Sequence, residues 1–214
     1  MRYVLDLDGT LIDSSERHYL LMQQILDKKS YNSEEFMRYK ADGNSGKKYL
    51  TECLKLPEAV ALEIMTLWQA QIEEEQWLAY DKLYPDTLEF LDWIKSRDER
   101  IYFLTARQRK DAVLDEVKRL GIADYADEIC VVSPAEASEQ KKAFVKKIQD
   151  HCINNDSVYI VGDTENEYQL ARDLSLPYSI LNRGFRSKKY WDEQGVLSIS
   201  SLREIMVEIE NIKY

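Results

Sequence analysis

The sequence predicts an α/β fold in which helices pack against a parallel β-sheet. Short apolar runs, rich in β-branched and aromatic residues, recur at residues 2–5, 101–104, 129–132, 158–161 and 178–181. Unbroken apolar runs of this length are typical of strands that are covered on both faces. Amphipathic stretches that fit helices lie near residues 87–97, 108–120, 139–151 and 165–174. Because strands alternate with helices along the chain, we expect the strands to be parallel.

A helical segment interrupts this alternation after the first apolar run. Residues 15–80 contain no convincing strand, and apolar residues between Ala61 and Ile72 recur at helical spacing. We therefore predict an α-helical domain at residues 15–81, inserted into an α/β core that comprises residues 1–14 and 82–214. The alternative is one continuous α/β domain that carries an additional helical layer.

Composition and charge limit the classes of partner. The chain has 214 residues, enough for one or two domains, and 44% of them are hydrophobic. The 29 Lys and Arg residues against 39 Asp and Glu residues give a net charge of −10. Nucleic acids and anionic membrane surfaces would repel such a chain, so we expect neither as a partner. A small anionic substrate is still compatible, because it responds to the local field of its pocket.

Cysteine usage and hydropathy predict a cytoplasmic protein. Cys53, Cys130 and Cys152 lie far apart and form no C-x-x-C pair, which argues against a disulfide framework or a zinc ribbon. The N-terminal sequence does not resemble a signal peptide, and no apolar run reaches the roughly 18 residues that a membrane span requires. The oligomeric state, monomer or homodimer, stays open.

Two carboxylates follow the first predicted strand. Asp6 and Asp8 stand where ligands bind in open α/β sheets, beyond the carboxyl end of a strand. Two carboxylates this close repel each other and need a cation or a shared proton. Gly9 would let the chain turn sharply and bring its N–H against a phosphate oxygen. A calcium-binding EF-hand loop is excluded because Thr10 and Leu11 occupy its fifth and sixth positions. An ordinary Asp-Gly turn is the other interpretation.

Four motifs in order resemble those of the haloacid dehalogenase (HAD) superfamily of phosphohydrolases. The stretch DLDGTLIDS at 6–14 resembles the nucleophile motif D-x-D-G-T-L. Thr105 at the end of an apolar strand, Lys142 in a helix and Asp163 after a further strand resemble the three later motifs. The inserted helices are similar to those of the subgroup that includes phosphoglycolate phosphatase and β-phosphoglucomutase. The resemblance spans nearly the whole chain and implies a Rossmann-like core with an α-helical cap.

The resemblance also implies a role for each motif residue. Asp6 would attack phosphorus to form an aspartyl-phosphate, and Asp8 would act as general acid and then as general base. Mg²⁺ would be held by a carboxylate oxygen of Asp6, by the backbone carbonyl of Asp8 and by Asp163. Thr105, together with backbone N–H groups that include that of Ala106, would bind the transferring phosphoryl group.

Lys142 would neutralise the charge shared by the phosphate and the nucleophile. Two departures from the family pattern affect these roles. Glu167 replaces the last Asp and is one methylene longer, so its direct role stays open. The family lysine is often followed by Pro, which is absent here, and this makes Lys141 a competitor for Lys142. Arg107, which follows the second motif, is expected to be a surface residue at the start of a helix.

The function that the resemblance implies is Mg²⁺-dependent hydrolysis of a small phosphorylated metabolite. A phosphomutase, in which a sugar hydroxyl replaces water as the acceptor, is the alternative on the same scaffold. A third hypothesis is a binding or regulatory protein that has lost turnover, and the intact motif residues argue against it.

Overall fold

The computed structural model describes residues 1–26, 32–152 and 157–212, with seven strands in two sheets. The strands are β1 (Arg2–Leu5), β2 (Ile12–Asp13), β3 (Lys82–Leu83), β4 (Arg100–Ala106), β5 (Glu128–Val132), β6 (Val158–Gly162) and β7 (Tyr178–Ile180). Five of them form a parallel sheet in the order β5-β4-β1-β6-β7. The prediction of a parallel sheet is confirmed.

Helices cover both faces of this sheet. Those of the core are α6 (Thr87–Ser96), α7 (Lys110–Arg119), α8 (Ala137–Asp150), α9 (Glu165–Leu174), α10 (Lys188–Glu193) and α11 (Leu202–Ile212). Successive residues of a strand point to opposite faces, so each buried strand supplies two apolar layers. Tyr3 and Leu5 pack with residues of α6, α7 and α11. Val4 packs with residues of α8 and α9. The three layers confirm the Rossmann-like α/β/α architecture.

Among the described residues, five further helices lie between β2 and β3. They are α1 (Ser15–Ile25), α2 (Ser33–Ala41), α3 (Gly46–Glu52), α4 (Glu58–Gln71) and α5 (Glu75–Leu78). We call these helices the insertion. They share a small core that includes Met22, Phe36 and Tyr49. Because β2 pairs antiparallel with β3, the chain leaves the core and returns to it at one place. The helical character of this segment agrees with the sequence, whereas its status as a separate domain with limits at 15 and 81 stays a prediction.

The register of the parallel sheet brings three strand ends to one edge. Leu5 of β1 is level with Phe103 of β4 and with Val161 of β6. The residues that follow, Asp6, Thr105 and Asp163, therefore emerge at the same edge, where ligands bind in open α/β sheets. Within the described ranges, no helix is both long and apolar enough to span a bilayer.

Candidate active site

Three buried carboxylates meet at this edge. Asp6 follows β1, Asp163 follows β6 and Glu167 lies in the first turn of α9, and one oxygen of each lies within 4.8 Å of the others. Asp163 Oδ2 accepts a hydrogen bond from the N–H of Phe185 at 2.6 Å, while its Oδ1 is buried without a partner. Buried carboxylates need a counter-charge. Such oxygen ligands suit Mg²⁺, and no His or Cys that Zn²⁺ would prefer belongs to this described cluster.

Burial and mutual repulsion disfavour the charged forms of these acids. Burial, together with Glu167 and Asp8, raises the pKa of Asp6 to about 7, although Lys141 opposes the shift. Burial, and next to it Asp6, raises the pKa of Asp163 well above its ordinary value. The cluster therefore destabilises the fold until a cation neutralises it, which is the behaviour expected of metal ligands.

This repulsion predicts that Mg²⁺ stabilises the protein and changes its pH dependence. Folded Asp6 keeps its proton up to about pH 7, whereas an aspartate in the unfolded chain has an ordinary pKa of 3.8. In EDTA we therefore expect the free energy of unfolding to fall as pH rises through this interval. With excess Mg²⁺ the fall should become smaller, because the metal neutralises Asp6, and Tm at neutral pH should rise by several degrees. Thermal unfolding between pH 5 and pH 8 measures both effects.

The isosteric Asp163→Asn variant is the control for this prediction. It removes one negative charge and retains an oxygen that can accept from the N–H of Phe185. We expect a higher Tm than the wild-type protein in EDTA and a much smaller rise on addition of Mg²⁺. A wild-type Tm that does not respond to Mg²⁺ would contradict the assignment of a metal site.

The lysine beside Asp6 is Lys141 and not Lys142. Lys141 is buried, and its Nζ lies 2.5 Å from Glu167 Oε1 and 3.3 Å from Asp6 Oδ1. Lys142 is 32% exposed and pairs with Asp173 at 2.8 Å. The structure therefore places Lys142, which the sequence favoured, away from Asp6, and Lys141 occupies the expected place. The cause is helical periodicity, since Lys141 shares the buried face of α8 with Phe144, at i+3.

The carboxylate of Asp8 points away from the three acids and toward two arginines. Arg107 binds it with two hydrogen bonds, from Nε at 2.6 Å and from Nη2 at 2.8 Å. Arg17 of α1 donates from Nη2 to Oδ1 at 2.5 Å. Although burial opposes it, Arg107 and Arg17 lower the pKa of Asp8 to about 2. The carboxylate of Asp8 is outside the group of three acids, and a contact of its backbone carbonyl with a metal stays a prediction.

Arg107 is only 4% exposed, which corrects the expectation of a surface residue. It also binds Glu116 of α7 at 3.0 Å, and Arg17 lies 3.3 Å from Asp81 at the end of the insertion. Burial raises the pKa of Asp81 to about 9; Arg17 opposes this shift and Glu116 adds to it. These buried ionic groups join the insertion to the core directly beside Asp8.

Loss of Arg107 should be costly, because it would leave Asp8 and Glu116 buried with fewer counter-charges. We expect Arg107→Ala to lower the free energy of unfolding by about 3–5 kcal/mol, as is typical when one member of a buried ionic group is removed. Arg109→Ala is the matched control, since the side chain of Arg109 is 51% exposed. Its effect should stay within about 0.5 kcal/mol. Urea unfolding in Mg²⁺ measures both, and equal effects would contradict a structural role of the buried network.

Gly9 holds a position different from the one expected. Its N–H donates to the carbonyl of Ile12 at 2.8 Å and so is already used. Its φ of +77° lies in the region that favours glycine, and a methyl group there would overlap with the carboxylate of Asp163. Gly9 therefore makes room for Asp163, and the structure does not place it among the residues that line the cavity described next.

A cavity of about 330 Å³ opens above the carboxylates. The predicted site residues that line it are Asp6, Asp8, Thr105 and Ala106, and Lys141 joins them. Helices α1 and α4 of the insertion form the opposite wall, with Phe185 at the side. The cavity is large enough for a phosphate group and a modest organic group, at the lower end of the range for small-molecule sites.

Comparisons with known proteins agree with this arrangement. Residues 3–179 match the family model described as haloacid dehalogenase-like hydrolase. A phosphoglycolate phosphatase of Rhodobacter capsulatus is 22% identical over 193 residues, which cover 86% of this chain and 84% of that protein.

Solved structures share the fold. A haloacid dehalogenase-like family hydrolase from Streptococcus pneumoniae superposes with a TM-score of 0.74 at 19% identity, over 97% of each chain. A predicted phosphatase from Clostridium acetobutylicum gives 0.73 at 19% identity over 98% of each. The family match and these relatives support a phosphatase enzyme. The chain belongs to the haloacid dehalogenase-like hydrolase family, as its four motifs predict.

Proposed function

We propose that this hydrolase is a Mg²⁺-dependent phosphatase that acts on a small phosphorylated metabolite through an aspartyl-phosphate at Asp6. The observation that carries the proposal is the convergence of Asp6, Asp163 and Glu167 around one point, with Lys141 bound to two of them. Asp6, Glu167 and Lys141 of this group line a cavity of suitable size. A buried carboxylate beside two further acids can bind a cation and attack a phosphate that the same cation binds.

The chemistry requires positive charge, because a phosphate monoester and a carboxylate nucleophile repel each other. Mg²⁺ held by Asp6, Asp163 and Glu167 would supply part of that charge. Lys141 supplies the rest from this chain. Burial alone would lower the pKa of Lys141, but Asp6 and Glu167 raise it, so its ammonium group is charged at neutral pH.

Two displacements at phosphorus would complete the reaction. A carboxylate oxygen of Asp6 bonds to phosphorus, the ester P–O bond breaks, and the leaving alkoxide takes a proton from Asp8. Water then gives a proton to Asp8 and attacks phosphorus, which breaks the bond to Asp6 and releases inorganic phosphate. The ionised Asp8 of the structure is ready for the second step. The first requires that Asp8 gains a proton once an incoming phosphate competes for Arg17 or Arg107.

Phosphate release from p-nitrophenyl phosphate tests the proposal. We expect turnover with Mg²⁺, loss of turnover in EDTA, and recovery when Mg²⁺ is restored. Borohydride reduction during turnover should convert Asp6 to homoserine, which mass spectrometry of the N-terminal peptide detects. Release that does not depend on the metal would contradict the proposal, as would isomerisation of a hexose 1-phosphate without net phosphate release, which a mutase would give.

A further inference from the structure

The wall of the cavity opposite the carboxylates is apolar and rich in rings. Met65, Trp68 and Ile72 line the cavity from α4 and its C-terminal end, at i, i+3 and i+7, and Gln69 is the polar residue that lines it between them. His18 lies between two rings of this wall, with ring centroids 5.2 Å from Trp68 and 4.8 Å from Phe185. Burial, followed by Lys40, lowers the pKa of His18 well below its ordinary value, so its imidazole is uncharged at neutral pH.

The charged groups that line the cavity are already committed. Each of the three lining cations is bound to a carboxylate: Arg17 and Arg107 to Asp8, and Lys141 to Asp6 and Glu167. A fourth lining carboxylate, Glu73, accepts hydrogen bonds from the N–H groups of Gln108 and Arg109 at 2.9 and 2.7 Å. Four acids against three cations leave no unpaired cation among the described lining residues, so a second acidic group of a substrate would have to displace a carboxylate from one of them.

Lys40 of α2 is a further cation near this wall, and it does not line the cavity. Its Nζ lies 4.8 Å from the ring centroid of Phe185, 5.8 Å from that of Trp68 and 3.3 Å from Nδ1 of His18. Cation–π contacts with these rings therefore already engage its charge. An acidic substrate that recruited Lys40 would have to compete with these rings for its charge.

We propose that the substrate is a phosphate monoester whose alcohol part carries a flat, uncharged aromatic ring, which stacks against Trp68. The phosphate would occupy the floor of the cavity, beside Asp6 and Lys141, and the ring would lie against the wall formed by α4. The inference rests on the proposed phosphatase function and specifies its substrate class. It predicts discrimination against small esters with a second acid group, such as the substrate in the name of the Rhodobacter relative.

Benzyl phosphate, ethyl phosphate and 2-phosphoglycolate are alkyl phosphates whose leaving groups have similar basicity. A comparison of the three therefore separates recognition of the alcohol part from its intrinsic reactivity. With Mg²⁺ we expect kcat/KM for benzyl phosphate to exceed that for the other two by about tenfold or more, since stacking on an aromatic side chain contributes roughly this much. Trp68→Ala should lower kcat/KM for benzyl phosphate about tenfold, mainly through KM. The same change should alter the value for ethyl phosphate less than about twofold.

Leu67→Ala is the matched control, because Leu67 precedes Trp68 on α4, is 50% exposed and does not line the cavity. It should leave all three values unchanged. Trp68→Leu keeps an apolar side chain without the ring and serves if the Ala variant does not fold. A preference for 2-phosphoglycolate that Lys40→Met abolishes would overturn the proposal, as would equal losses on all three esters in both Trp68 variants. If the proposed phosphatase function itself were wrong, the result would be different, because no ester would then release phosphate in Mg²⁺.

Discussion

Asp6→Asn is expected to lower kcat for phosphate release by about 10⁴-fold or more, because an amide oxygen is a poor nucleophile toward phosphorus. The substitution is nearly isosteric at a position that is 8% exposed, so the fold should persist. It also removes one of the three charges that repel each other when the metal is absent. Steady-state phosphate release in Mg²⁺, with Tm as the check on folding, measures the effect.

Asp13→Asn is the matched control within the same motif. Oδ1 of Asp13 accepts hydrogen bonds from the N–H and the hydroxyl of Ser15 at the start of α1, and its side chain does not line the cavity. Activity should stay within a fewfold of the wild-type value. If Asp6→Asn kept more than about one hundredth of the activity, Asp6 would not be the nucleophile, and a water attacking phosphorus directly would have to replace it.

The residues at the strand ends could be predicted from the sequence because parallel strands carry their carboxyl ends to one edge. Asp6, Thr105 and Asp163 are separated by tens of residues, yet each directly follows or ends an apolar run. Their convergence follows from the topology alone. Glu167 could be recognised in the sequence as a replacement for the last Asp of the family pattern. Only the structure shows that its longer side chain reaches the same point as the two aspartates.

The arginines around Asp8 could not be predicted, because they depend on how the insertion packs against the core. Arg17 comes from the first helix of the insertion, and Arg107 from a core position 99 residues after Asp8. In the sequence, an Arg that follows a strand is equally compatible with a solvated helix start. The sequence indicates these arginines only indirectly, because an ionised Asp8 near other acids requires cations beside it.

The choice between two adjacent lysines failed for a different reason. From the sequence we predict this helix near residues 139–151, and α8 spans Ala137–Asp150. On this helix, positions 141, 144, 145 and 148 share one buried face. The spacing i, i+3, i+4, i+7 was present in the sequence and would have selected Lys141.

Lys141→Met should lower kcat by about 10²–10⁴-fold, a range typical for the removal of one preorganised charge at a reacting centre. The variant loses the cation that lies 3.3 Å from Asp6 and 2.5 Å from Glu167. In EDTA it should also be markedly less stable, because these two carboxylates would be buried without their counter-charge. Lys142→Met, one position along the same helix, should keep activity within about twofold, since Lys142 pairs with Asp173 at the surface.

The concentration of Mg²⁺ that gives half-maximal activity separates a direct role of Lys141 from the loss of a metal site. An ammonium group and a divalent cation compete for the same carboxylates, so removal of the lysine should leave this concentration unchanged or lower it, while kcat falls. If the variant instead recovered full kcat at high Mg²⁺, Lys141 would serve only to organise the carboxylates. If Lys142→Met caused the larger loss, the buried position of Lys141 would not identify the lysine that stabilises the transferring phosphate.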